Sequence, residues 1–177
     1  MGIRDEEIKR IVKYSEGLGI KVRFLPFVKG CGGAEWDMIT QEINIFQTKS
    51  QTKTETIINL LHELGHHLDW IYNNKVISDE VTKAFTLLNE GNIYGVRTDI
   101  PKKYRRIIYK EEKAGIEYMS IIHKELDLKL PLWKLKRRQA LDLYDYEMLY
   151  KKGRFSTQLE YTIYKNEITD KFKKEYK

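Results

Sequence analysis

The sequence predicts an α+β fold in which a small mixed or antiparallel sheet packs on one central helix and the C-terminal half is helical. Segments that alternate apolar and polar residues occur only before residue 47, whereas later apolar residues recur at helical spacing. No internal repeat or linker divides the 177 residues. We therefore expect one domain over 1–177, with a helix and small sheet (1–53), a group of helices (54–126) and a basic helical extension (127–177).

The N-terminal elements follow from short apolar patterns. A helix is expected over 3–16, where isoleucine and valine recur at helical spacing. Residues 20–25 alternate apolar and polar side chains and are stopped by Pro26, so they are predicted to form a strand. Two further short strands are predicted over 34–38 and 42–46.

The later helices are separated by polar, glycine and proline residues. A helix is predicted over 54–72, opened by a threonine cap and an early glutamate, and a shorter one over 78–89. After a loop, a long helix is expected over 104–126. Two more helical stretches follow Pro131 and are interrupted near Gly153.

The net charge of +6 belongs to the C-terminal part of the chain. Residues 129–177 hold 13 Lys or Arg against 7 Asp or Glu, and the residues before them balance. A solvated helical face is the simpler interpretation of such a charge run. If the surface is functional, its charge would attract nucleic acid or an acidic protein.

Location in the cytoplasm is expected from three further features. The single cysteine, Cys31, cannot form an intramolecular disulfide, and the N-terminus lacks the apolar core of a secretory signal. No stretch approaches the roughly 18 apolar residues of a membrane helix. We therefore expect no membrane partner.

The run His62-Glu-Leu-Gly-His66 carries the clearest chemical signal. Residues four apart lie on one face of a helix, so the two imidazoles can reach a single metal ion. Glu63 lies about 100° around the helix, where it can reach a water on the metal without binding the metal itself. The spacing therefore predicts a Zn²⁺ site with His62 and His66 as ligands and Glu63 as general base.

A third protein ligand has to come from outside this run, because catalytic zinc takes three ligands and leaves a fourth position to water. The long helix that follows offers Glu111, which falls on an apolar stripe drawn through Ile108 and Gly115. A carboxylate on a buried face is costly unless it is paired or binds a metal. Glu111 is the expected ligand, with Glu112 and then His123 as alternatives.

The same run, followed by Glu111-Glu-Lys-Ala114, resembles the gluzincin pattern, in which a second helix supplies a glutamate with alanine three residues later. Over about 42–126 the chain is similar to the ImmA/IrrE metallopeptidases of phages and mobile elements. It is also similar to the catalytic domain of anthrax lethal factor and the Pro-Pro endopeptidases, with Asp69 and Tyr104 at matching positions. The resemblance implies a zincin-like domain that cleaves a specific protein substrate.

The mechanism expected from this resemblance is hydrolysis by activated water. Zn²⁺ lowers the pKa of a bound water toward about 7. Glu63 accepts the proton and passes it to the leaving amine. Tyr104 is expected to donate its hydroxyl to the developing oxyanion, with Tyr109 and Tyr118 as rivals.

Several neighbouring residues carry secondary expectations. Asp69 is expected either to accept the outer N–H of a ligand histidine or to lie exposed near the helix end. His67 is expected to face solvent or a backbone carbonyl, and the strand at 42–46 to pair with an extended substrate. Cys31 lies in a glycine-rich turn, from which its thiol could reach the metal and block it, but this is a weaker expectation.

A different class of function is a binding or regulatory module on the same fold, which would use the basic C-terminal helices to hold nucleic acid or a protein. Salt-dependent DNA binding that is lost on truncation after about Leu130 would favour this module. Cleavage of a partner protein that disappears in Glu63→Gln would favour the peptidase. A secreted toxin-like peptidase is disfavoured by the missing signal sequence.

Overall fold

The structure, a computed structural model, describes residues 3–27, 33–94 and 100–176. In chain order the elements are α1 (Ile3–Gly17), β1 (Lys21–Pro26), β2 (Ala34–Asp37), β3 (Glu42–Gln47), α2 (Lys53–Tyr72), α3 (Asp79–Tyr94), α4 (Lys102–Glu125), α5 (Leu132–Lys152) and α6 (Gln158–Glu175). The protein is therefore α+β and mostly helical, with one small mixed sheet, as the sequence predicts.

The predicted helices and strands are present, and the clearest difference in their limits is at α3. This helix continues to Tyr94, beyond the expected end at residue 89. The sequence predicts a loop from Gly91, but a single glycine costs a helix only about 1 kcal/mol. Because α3 packs against α4, tertiary contact favours the longer helix.

The sheet has the strand order β1-β3-β2, with β1 parallel and β2 antiparallel to β3. The alternating apolar residues of β3, Ile43 and Ile45, are fully buried. Both edges of β3 are hydrogen-bonded within the sheet, so the expectation that residues 42–46 pair with a substrate is wrong. Alternation predicts a strand but does not say whether its neighbours are supplied by the same chain.

Helix α2 lies at the centre of the fold. It contacts α1, β2 and β3 on one side and α4 on the other, and its apolar residues are buried along most of its length. The residues that form this main core are Ile11, Ile20, Ile43, Ile45, Ile57, Ile58, Leu60, Leu61, Leu64, Leu68, Ile116, Met119, Ile122, Leu128, Leu130 and Leu135. The helix that carries the histidine run is thus held on several sides.

The start of α2 is set by a capping box. The Thr52 side chain accepts a hydrogen bond from the Glu55 backbone N–H at 3.2 Å, and the Glu55 carboxylate accepts one from the Thr52 backbone N–H at 2.7 Å. These bonds satisfy backbone groups that the helix itself leaves open. They fix where the helix begins and so help to fix the face that His62 and His66 occupy.

The C-terminal helices extend the fold away from the sheet. Helix α5 packs on α4 and α6, whereas α2 and α5 do not pack extensively against each other. Of the α6 residues only Ile168 is buried, so this helix has a largely exposed surface. Within the described part of the chain, no helix has both the length and the apolar character needed to cross a membrane.

Candidate metal centre

Three potential metal ligands converge where α2 crosses α4. His62 Nε2 and His66 Nε2 lie 3.0 Å apart, and Glu112 Oε2 lies 3.2 Å from the first and 3.5 Å from the second. The two histidines come from successive turns of α2 and the glutamate from α4. Within the described ranges, this is the group of His, Cys, Asp and Glu side chains whose ligand atoms lie close enough together to hold a metal ion.

The cluster is enclosed by protein but remains reachable from solvent. The side chains of His62 and His66 are 15% and 14% exposed, and that of Glu112 is 7% exposed. A carboxylate so deeply buried requires a charged or hydrogen-bonding partner to offset the loss of its hydration. Here the two imidazoles are those partners.

The structure brings Glu112 rather than Glu111 to the histidines, which corrects the expected ligand. The buried side of α4 runs through Ile108, Glu112, Ile116 and Met119, each four or three residues after the last. The sequence stripe through Ile108 and Gly115 accommodates Glu111 equally well, since both glutamates lie within one helical turn of both residues. Ile116, four residues after Glu112, identifies the face that is actually buried.

Glu111 instead belongs to an ion network beside the centre. Lys75 Nζ donates to a Glu111 carboxylate oxygen at 2.8 Å and to Asp69 at 2.5 Å. Asp69 also accepts a hydrogen bond from the Asn73 side chain at 2.7 Å. Asp69 is buried and pairs with Lys75 and Asn73, so neither the histidine-orienting role nor the exposed position expected for it is found.

His67 is buried, in contrast to the expectation that it faces solvent or a carbonyl. Its ring packs edge-on against the Trp36 ring, with 5.6 Å between the ring centroids. Neither nitrogen of the His67 ring has a hydrogen-bond partner among the described residues. Burial lowers the pKa of His67, which favours the neutral ring. His67 therefore packs against β2 through Trp36 and is not part of the His62 and His66 cluster.

Two glycines allow the helices to approach closely. A Cβ at Gly65 would overlap the carbonyl oxygen of Gly115, and a Cβ at Gly115 would lie 2.6 Å from two atoms of the His66 ring. Any larger residue at either position would push α2 and α4 apart or displace the imidazole. The glycines thus set the separation across which Glu112 reaches His62 and His66.

The electrostatics of the cluster favour a charged carboxylate beside a cationic centre. Burial alone would raise the pKa of Glu112, but the charge of His66 and hydrogen bonds to both histidines hold it well below its usual range. Burial likewise opposes a charge on His62, yet Glu112 and Glu63 raise its pKa to about 9. Two acidic groups therefore create a position that attracts positive charge.

Glu63 lies beside this cluster and is half-buried. Burial raises the pKa of Glu63, and the nearby Glu112 charge adds to the rise. The charges of the two histidines and the nearby Trp36 backbone N–H act in the opposite direction. Glu63 therefore lies near β2, a strand at the edge of the sheet.

Tyr104 lies elsewhere, in a second apolar cluster. Its side chain is buried, and the ammonium of Lys103 lies 4.6 Å from the ring centroid. The residues buried with it are Ala84, Leu88, Ile100, Ile108 and Leu149. The rival tyrosines are stacked in pairs, Tyr109 on Tyr150 and Tyr118 on Tyr72. The geometry therefore offers no support for an oxyanion role of Tyr104.

Tyr146, which the sequence did not single out, is the tyrosine beside the centre. The carboxylates of Glu112, Asp142 and Glu63 all lie close enough to Tyr146 to affect its hydroxyl electrostatically. Burial, followed by these carboxylate charges, raises the pKa of Tyr146 well above its usual value, so its hydroxyl remains a donor. Helical spacing places Arg138, Asp142 and Tyr146 on one face of α5, but only the tertiary fold turns that face toward the histidines.

His123 and Cys31 are the two remaining residues that the sequence offers as possible contacts of the metal. His123 Nε2 lies 2.7 Å from the Leu130 carbonyl oxygen, which is the structural role that the sequence favoured for this histidine. Cys31 lies outside the described residues.

Comparison with known proteins adds no family assignment. No protein-family model, no curated protein and no solved structure matches this chain.

The close helix crossing predicts a specific sensitivity to one added methyl group. Gly115→Ala is expected to destabilise the protein by about 1–3 kcal/mol, because the new Cβ collides with the His66 ring. Gly17→Ala is the matched control, since a Cβ there meets open space. Urea unfolding followed by circular dichroism measures both, and equal stability of the two variants would contradict the crossing described here.

Proposed function

We propose that the chain is a zinc-dependent endopeptidase that hydrolyses a peptide bond of a specific protein substrate. The observation that carries the proposal is the convergence of His62, His66 and Glu112 beside the carboxylate of Glu63. Two imidazoles and one carboxylate are a donor set of catalytic zinc sites, which keep a further position open. Glu63 adds a half-buried base that is not needed as a ligand.

The separations between the donor atoms fit a single zinc ion. Ligand atoms about 2.0–2.1 Å from a tetrahedral zinc lie roughly 3.3 Å from each other. The separations here are 3.0, 3.2 and 3.5 Å for the three pairs of atoms in His62, His66 and Glu112. All three pairs thus lie near the spacing that a shared ion requires.

In this proposal Glu63 acts as the general base and then as the general acid. Zinc bound at the three side chains would lower the pKa of a coordinated water and polarise the peptide carbonyl. Glu63 removes the proton from the attacking water and delivers it to the leaving amine. Its raised pKa suits both steps, because a carboxylate that titrates closer to neutral pH is a better proton acceptor and a better donor.

Strand β2 is positioned to hold an extended substrate. It occupies a sheet edge, and its Trp36 backbone N–H lies close enough to Glu63 to lower the pKa of that carboxyl. A peptide that pairs with this edge gains main-chain hydrogen bonds and passes close to the proposed base. This assigns to β2 the substrate contact that the sequence suggested for β3.

The resemblance to the gluzincins supports the same proposal once the third ligand is moved by one residue. With Glu112 as ligand, the small residue three positions later is Gly115, which lies against the His66 ring. A small residue at this place lets the second ligand helix approach the first. The resemblance further favours a zincin-like fold and, as for ImmA/IrrE, a regulatory protein of a mobile element as the substrate.

Zinc content separates the two adjacent glutamates. The wild type is expected to hold about one zinc per chain, Glu112→Ala to lose most of it, and Glu111→Ala to keep it, because Glu111 pairs with Lys75. Elemental analysis of the purified proteins after dialysis measures the three values. Loss of zinc in Glu111→Ala with retention in Glu112→Ala would refute the assignment.

Substitution of the base tests the peptidase proposal itself. Glu63→Gln is expected to lower peptide hydrolysis by about 10²–10⁴-fold while zinc stays bound, since a general base contributes roughly this factor. Wild type and variant are incubated, zinc-loaded, with a peptide library, and the products are quantified by mass spectrometry. Glu111→Gln serves as the matched control and should retain activity. Products formed equally by wild type and Glu63→Gln would overturn the proposal.

In this proposal Tyr146 positions the carboxylate of Glu112. The oxyanion role expected of Tyr104 is not retained, because Tyr104 lies in the second apolar cluster. Tyr146→Phe removes the hydroxyl beside Glu112 and is expected to weaken zinc binding by about 10–100-fold. Tyr104→Phe, altered in the second cluster, should leave zinc affinity unchanged. Competition with a chromophoric chelator gives both affinities, and an unaltered affinity of Tyr146→Phe would refute this role.

A further inference from the structure

A basic aromatic surface lies where the first turn of α5 meets the end of α6, on residues that the metal centre does not use. A shallow groove of about 860 Å³ opens there. It is lined by Pro131, Leu132, Trp133, Lys173, Glu175 and Tyr176. We call this feature the Trp133 surface and include in it the neighbouring Lys134 and Arg137.

Three cations surround the Trp133 ring. Lys134 Nζ, the Arg137 guanidinium carbon and Lys173 Nζ each lie 5.7 Å from the ring centroid. Among the described residues, Lys134 and Arg137 form no ion pair, and Lys173 has only a long one of 3.9 Å to Asp170. Asp170 and Glu175, the latter in the lining of the groove, therefore compensate only part of the repulsion among these three cations.

The start of α5 adds to this positive potential. Its first turn contains no acidic residue, and no side chain caps its backbone N–H groups. Helix N-termini carry a partial positive charge, so Lys134 in the first turn is unfavourably placed unless an anion binds nearby. The arrangement costs stability in the free protein and would be relieved by a bound polyanion.

We propose that the Trp133 surface binds single-stranded nucleic acid, with Lys134, Arg137 and Lys173 on the phosphates and bases stacked on the half-buried rings of Trp133 and Tyr176. Flat aromatic rings beside cations are the combination that single-strand binding proteins use, because every base has a stackable face. An acidic peptide would satisfy the cations but would not stack on the Trp133 ring. This binding is independent of the metal centre and of the proposed peptidase activity.

The test is fluorescence anisotropy of a labelled 20-nucleotide oligo(dT) titrated with the full chain. Trp133→Ala is expected to weaken binding by about 5–100-fold, as for removal of one stacking ring, whereas Trp133→Phe should retain most of the affinity. Lys134→Gln with Arg137→Gln should reduce the slope of log affinity against log salt by about 1.4. Circular dichroism of each variant establishes that it is folded.

The matched control is Lys49→Gln with Lys165→Gln, which removes the same charge from two exposed positions away from the groove. It should leave both the affinity and the salt slope nearly unchanged. An equal loss in this control would show general polyelectrolyte binding and overturn the proposal. Unchanged affinity of a folded Trp133→Ala, or competition by poly-glutamate as strong as by unlabelled oligo(dT), would also overturn it.

Discussion

The close crossing of α2 and α4 at Gly65 and Gly115 is the constraint on which the rest of the site depends. Neither glycine has room for a Cβ, because Gly65 lies on the Gly115 backbone and Gly115 on the His66 ring. Helices that pack through larger side chains are separated by 8–10 Å between axes. The smaller residues allow Glu112, on one helix, to meet His62 and His66 on the other.

This crossing creates a charge arrangement that favours a bound cation. Glu112 is buried with two histidines, and Glu63 places a second carboxylate beside them. Burial of two acids near one another is unfavourable unless positive charge compensates them. The His62 imidazolium provides part of that charge, because the pKa of His62 is raised. A divalent cation would provide more of it and would satisfy all three donor atoms together.

The sequence predicted the α+β class, the strands and helices and the position of His62 and His66, because periodicity and capping are local properties. It did not distinguish Glu111 from Glu112, since adjacent residues on a helix share so many neighbours that one apolar stripe fits either. The tertiary structure resolves the choice, because it buries Glu112 and Ile116 on the side of α4 that faces the histidines. The central place of β3 and the approach of Tyr146 depend on contacts between distant segments, which local patterns do not encode.

The most direct test of the central claim is anomalous diffraction at the zinc edge from crystals of the zinc-loaded protein. The account predicts one strong anomalous peak within about 2.0–2.2 Å of His62 Nε2, His66 Nε2 and a Glu112 carboxylate oxygen. A peak at Glu111, or no peak between the two histidines in fully loaded crystals, would contradict it.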